Sequence, residues 1–144
     1  MSFLDRVGNK VDKMRSRQSE NSEVKSYNES IQEEKDSIDI IISKIGEYYW
    51  NAYANGEWDP SEDVAPYFEE VSNRVAEIKS LEEKIDERKR IGIEQRIEID
   101  KNTQAVEKRK AAEAAERKRQ REEAKRIAAE EKAAEEMTSE EDNE

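Results

Sequence analysis

Three groups of side chains in this chain could do chemistry. The first is aromatic. Seven of the nine aromatic residues, Tyr48, Tyr49, Trp50, Tyr53, Trp58, Tyr67 and Phe68, fall between positions 48 and 68. Trp and Tyr offer large, stiff, amphipathic contact area and dominate protein–protein hot spots. The chemistry they suggest is docking of a protein partner, with Trp50, Tyr53, Trp58 and Tyr67 as the binding residues. The competing reading is a small core that locks a turn, with Gly46 letting a second helix come close. Adjacent Tyr48, Tyr49 and Trp50 cannot share one face of a helix, so at least one must be exposed; Trp50 and Trp58 are the candidates.

The second group is basic and apolar together. Phe3, Leu4, Val7, Val11 and Met14 recur at helical spacing, with Arg6, Lys10, Lys13, Arg15 and Arg17 around them. Such a helix can lie on an anionic membrane surface. Packing of the same stripe on the rest of the chain, or on a second copy, is the competing reading. The third group is the run Lys108-Arg109-Lys110 and Arg117-Lys118-Arg119 with Arg121, Lys125 and Arg126, whose charges could contact phosphates. Glutamates are interspersed and no aromatic lies there to stack on bases. A solvated charged helix is therefore the stronger reading, and nucleic acid is not an expected partner.

Catalysis finds little support. There is no histidine and no cysteine, which removes the commonest general base and metal ligand and every thiolate. Carboxylates are abundant, but pairs of them on a charged helix arise by chance. No glycine-rich phosphate loop or nucleophile elbow is present. The expectation is a non-enzymatic protein without cofactor or metal.

The elements that must position these groups follow from composition. The chain has 144 residues, of which 44% are charged and 33% hydrophobic, with four Gly and two Pro. That length suits one small domain or a helical rod, and so few turn formers exclude a many-turned fold. The net charge is −11, which argues against wholesale nucleic-acid binding. Its distribution is uneven: residues 1–20 carry +2, 21–100 carry −11 and 101–144 carry −2. No apolar run approaches the ~18 residues of a membrane span, and Asp5 and Arg6 interrupt anything like a secretory leader. A cytoplasmic protein is expected, peripheral to the inner membrane face if the N-terminal helix binds lipid.

Between Val24 and Ile99 lie 25 residues of the types Val, Ile, Leu, Phe, Tyr and Trp; beyond Asp100 the large apolar residues are Val106, Ile127 and Met137. The core must come from the first region. Val24, Tyr27, Ile31, Ile38, Ile41, Ile45, Tyr48 and Ala52 alternate three- and four-residue steps, with Glu34 the one break. Ser22 is a plausible N-cap and Asn55-Gly56 a C-terminal stop. Asp59-Pro60-Ser61-Glu62 opens a second helix, whose stripe is Val64, Phe68, Val71, Val75, Ile78 and Ile85, with Leu81 flanking. Pro66 could move its start toward Ala65. A loop of about five residues makes the two helices antiparallel neighbours. Residues 91–99 fit either a continued helix or a strand-like alternation, and the helix is favoured because a lone hairpin of strands is unstable. From Asn102 or Thr103 a helix rich in Ala, Glu, Lys and Arg is expected, with Glu113–Arg117 and Glu122–Arg126 as i,i+4 pairs.

Several strings taken together resemble a known family. They are Ser2-Phe3-Leu4-Asp5-Arg6-Val7-Gly8, Tyr27-Asn28-Glu29-Ser30-Ile31-Gln32-Glu33-Glu34-Lys35, Ile45-Gly46-Glu47-Tyr48-Tyr49 and Phe68-Glu69-Glu70-Val71. The family consists of small bacterial proteins, common in Gram-positive anaerobes, that join a short N-terminal helix, a helical hairpin and a C-terminal zinc ribbon. The resemblance covers about residues 1–93 and implies no enzymatic activity. In the family a string like Arg90-Ile91-Gly92-Ile93 leads into paired CxxC motifs. Here Glu94-Gln95-Arg96 follows and no cysteine exists, so zinc ligation transfers to no position.

The expected architecture is all-α. It comprises a short amphipathic helix at 1–20, an antiparallel helical hairpin or coiled coil at 22–93, a charged single-helix extension at 94–136 and a disordered acidic tail at 137–144. Two helices alone bury little, so the N-terminal helix should pack on the hairpin, or two hairpins should form a homodimer. The function expected is that of an interaction or scaffold module, with a membrane-peripheral protein as the alternative.

Overall fold

The computed structural model describes residues 2–56 and 59–142. Two helices account for nearly all of them: α1, Phe3–Ala54, and α2, Ser61–Glu141. The fold is all-α and its centre is an antiparallel helical hairpin. Among the described residues there is no strand, so the isoleucines at 91, 93, 97 and 99 lie in helix.

The helix ends obey local chemistry. The Ser2 hydroxyl oxygen accepts from the Asp5 amide at 3.1 Å and donates to the Asp5 carboxylate at 2.6 Å, a side-chain cap on the first turn. Gly56 ends α1 with φ of +71°, its amide donating to the Tyr53 carbonyl; a side chain there would be strained. Asp59 Oδ1 accepts from the Ser61 amide at 2.9 Å, the capping role its position suggested. Val64 donates to the Pro60 carbonyl, so α2 starts ahead of Pro66 rather than restarting at Ala65.

Three expected boundaries are absent. Ser22 caps nothing, because α1 runs through it unbroken. Asn102 and Thr103 begin no new helix, and α2 passes 136 to reach Glu141. The reason is the same each time: neither Gly nor Pro stands near 22, 102 or 136, and Ser or Asn inside a helix costs only a few tenths of a kcal/mol relative to the best formers. The tail residues Asn143 and Glu144 lie outside the described residues. The N-terminal residues therefore prolong α1; they do not fold back as a third helix.

Packing divides the chain into two compact units, Val7–Ile99 on one hand and Met1–Arg6 with Asp100–Glu144 on the other. The first contains the hairpin. Its core has two clusters: Ile31, Leu81 and Ile85 with Val24, Tyr27 and Ile78 against them, and Ile41, Ile45 and Val64 with Tyr67 and Val71. Glu34, the break in the sequence stripe, lies between the clusters. Its carboxylate accepts from Arg74 Nη1 at 3.0 Å, and Glu70 holds the same guanidinium from the adjacent turn. These carboxylates, Glu70 first, push the Arg74 pKa further up.

Toward the open end of the hairpin the seam becomes polar. Arg88, only 9% exposed, donates to Glu23 at 2.9 Å and to the Ser19 hydroxyl. Arg96 pairs with buried Glu20, and Ser16 with Gln95. Gly92 is what admits Glu20: a Cβ there would sit 2.8 Å from Glu20 Cδ. The close approach expected at Gly46 is thus found at Gly92, while Gly46 faces open space with nothing within 4 Å of a Cβ.

In the other unit, Lys110 reaches Asp5 at 2.9 Å. Ser2 first, then Lys110, hold the Asp5 carboxyl below its ordinary value. Residues 108–142 are exposed throughout. The ion pairs among these residues are Glu116–Arg119 and Glu123–Arg126, both i,i+3, in place of the i,i+4 pairs expected. On a helix surface the two spacings are nearly equal neighbours, so small rotamer preferences decide between them.

Candidate functional site

The closed end of the hairpin gathers the aromatics on three sides. Tyr48 and Tyr67 face one another across the helices, ring centroids 5.7 Å apart and planes tilted by 42°. Tyr67 also packs on the Ile41–Ile45–Val64 cluster. Hydrogen bonding to Tyr67 raises the Tyr48 pKa. Tyr67 is therefore the seam partner of Tyr48, and its place is that of the structural reading.

Trp50 and Tyr53 are different. Their rings lie 6.0 Å apart, and they remain 66% and 80% exposed. No core cluster includes either. Exposing one indole and one phenol side by side forgoes a large hydrophobic stabilisation, of order ~1.5–3 kcal/mol for each large side chain left unburied. Trp58, the other candidate, lies outside the described residues.

The N-terminal stripe is also exposed, in each unit taken by itself. Phe3 and Leu4 stand open in one; Val7, Val11 and Met14 stand open in the other. Val7, Val11 and Met14 do not make the expected packing on the hairpin. Within Val7–Ile99, the residues of α1 turned to the seam are Asn9, Lys13, Ser16 and Glu20, on the opposite side of the helix from Val7, Val11 and Met14. Sequence reasoning missed this polar seam. The signal was the continued three- and four-residue step through 9, 13, 16 and 20, and through 81, 85, 88, 92 and 96, which a search for apolar stripes passes over.

Elsewhere the surface is charge-compensated. Arg90 pairs with both Glu87 and Glu94, which raises its own pKa, while Arg90 lowers that of Glu87. A shallow groove of about 380 Å³ beside Tyr27, Lys84, Arg88 and Ile91 mixes both signs of charge. Among the described residues no three carboxylates gather closely enough to hold a metal, and no helix is long and apolar enough to cross a membrane. No family model matches the chain, and neither a curated protein nor a solved structure does.

Proposed function

We propose that this chain is a non-enzymatic protein-interaction or scaffold module, working in the cytoplasm, with its docking site at the closed end of the hairpin. The exposed Trp50–Tyr53 pair carries this reading. It sits in the last turns of α1, which are anchored in the core by Ile45 and Ala52, with Val64 of α2 packed against Ile45. Rigid placement of large aromatics lowers the ordering cost of binding, and hot spots are enriched in these residue types. The resemblance to ribbon-bearing hairpin proteins implies no enzymatic activity, which agrees with a binding role; if the relationship holds, a charged helix stands where that family has its ribbon.

The test is a pull-down from native lysate with wild type and a Trp50→Ala/Tyr53→Ala variant of equal helicity. A protein recovered by wild type, then shown with purified components to bind at least tenfold more weakly to the variant, supports the site. Equal affinity for both removes it.

A second reading, a membrane-peripheral protein, is favoured by the exposure of Phe3, Leu4, Val7, Val11 and Met14 and of the basic residues Arg6, Lys10, Arg15 and Arg17 among them, while Lys13 turns to the seam. Vesicles containing anionic lipid should then sediment the protein at low salt and release it at high salt. No sedimentation at low salt would exclude it.

A further inference from the structure

We propose that Ile42, Tyr49, Phe68 and Val75, with Gly46 between them and Tyr53 at the edge, form a self-association face, and that two hairpins pack through it as a four-helix dimer. The face follows from register. On α1 the seam positions Ile41, Ile45, Tyr48 and Ala52 are each followed by one residue: Ile42, Gly46, Tyr49 and Tyr53. On α2, Val64, Tyr67, Val71 and Arg74 are followed by Ala65, Phe68, Ser72 and Val75. One step along a helix turns a side chain about a quarter-turn in a fixed sense. The helices are antiparallel and face each other, so the same step on each swings both sets to the same side of the hairpin.

All eight of those residues are uncharged and exposed. One residue before the same eight seam positions, on the opposite side, stand Ile40, Lys44, Glu47, Asn51, Asp63, Pro66, Glu70 and Asn73, four of them charged. Along this stretch the side that follows the seam carries no charge at all. Lys35, Asp39, Lys79 and Glu82 resume it beyond.

A second copy is the occupant that fits. Among its described residues the unit Val7–Ile99 buries just seven apolar side chains, and of these only Val64 completely, a thin core for a domain of that size to stand alone. Ile42, Tyr49, Phe68 and Val75 are about half exposed and Tyr53 more so. At ~180 Å² per large side chain they offer roughly 500 Å² of apolar surface, which matches the apolar share of a standard interface of ~800 Å² per partner. An isologous pairing lays this face on itself. Gly46, with nothing within 4 Å of a Cβ, leaves a notch between Ile42 and Tyr49 into which a facing ring can enter. Trp50 lies outside this face, whereas Tyr53 belongs both to its edge and to the Trp50–Tyr53 pair, so a partner docked on that pair would meet the edge of the dimer.

Sedimentation equilibrium on the full chain tests it. Wild type should show twice the chain mass, falling toward one on dilution. Ile42→Glu/Phe68→Glu should weaken association about a hundredfold or more, because it sets like charges against each other in the interface. Ile40→Glu, on the charged side, and Trp50→Ala should leave the mass unchanged. Should the double variant lose helicity, a second measurement decides. Val75→Ser, a milder change within the same face, should still weaken association severalfold, whereas Ile40→Ser should not. A wild type monomeric at every concentration, a folded double variant that stays dimeric, or equal association of Val75→Ser and Ile40→Ser would each overturn the proposal.

Discussion

The helix-interior glycines differ in what surrounds them, and the difference has a measurable sign. Gly8 has nothing within 4 Å of where a Cβ would be, whereas at Gly92 a Cβ meets Glu20 Cδ at 2.8 Å and Arg96 Nη1 at 3.2 Å. Alanine is the better helix former by ~0.8–1 kcal/mol. Gly8→Ala should therefore stabilise the protein by about that amount in urea denaturation. Gly92→Ala should gain little or lose, because Glu20 must leave Arg96 to make room. Equal gains from both substitutions would mean that the Glu20–Arg96 contact contributes nothing. Nothing in the sequence distinguished these glycines. Gly46 drew the eye because it stands among apolar residues, yet the close approach occurs where the seam is polar. Trp50, by contrast, was legible: three consecutive aromatics cannot share one face, and the residue left outside, 66% exposed, is the one that the step through Ile41, Ile45, Tyr48 and Ala52 turns away.

Among the elements, α1 shows where hydrophobic periodicity succeeds and where it misleads. From Val24 to Ala52 the seam residues are apolar apart from Glu34, and the hairpin follows from their spacing, although Ile40, Ile42, Tyr49 and Trp50 in the same stretch lie outside the seam. From Phe3 to Met14 the periodicity is as regular but marks the outer face, since the inner positions are Asn9, Lys13, Ser16 and Glu20. Apolar spacing reports a face, and only the partner helix decides which way it turns; here α2 offers Arg88, Gly92 and Arg96. Glu34 makes the same point within the core. Its pairing with Arg74 occupies one layer between two apolar clusters. A buried or half-buried ion pair is seldom worth more than the apolar packing that could replace it. Glu34→Leu/Arg74→Leu should join the clusters and raise the melting temperature, while Glu34→Leu alone should lower it by stranding the Arg74 guanidinium. A double variant less stable than wild type would show that the pair contributes net stability.

At the scale of the hairpin unit these two kinds of seam imply unequal stability along its length. The closed end, from Val24 to Ala52 and Val64 to Ile85, is held by apolar burial, which is non-directional and tolerates small displacements. The open end depends on Ser16–Gln95, Glu20–Arg96 and Arg88 with Glu23 and Ser19. Arg88 Nη1 and Arg96 Nη1 there are buried without an acceptor, so each guanidinium is only partly repaid for its desolvation. Local opening should then begin at residues 7–23 and 88–99. Hydrogen exchange followed by mass spectrometry should find those segments less protected than the segments around Ile41 and Val64. Glu20→Gln weakens a charge-assisted contact to an ordinary one, and should quicken exchange at the open end about tenfold while leaving the closed end unchanged. Uniform protection along both helices, or a uniform response to Glu20→Gln, would mean that the hairpin opens as a single cooperative body. In that case the polar seam would be as strong as the apolar one, and the aromatics at the closed end would owe their rigidity to the whole length of the pair.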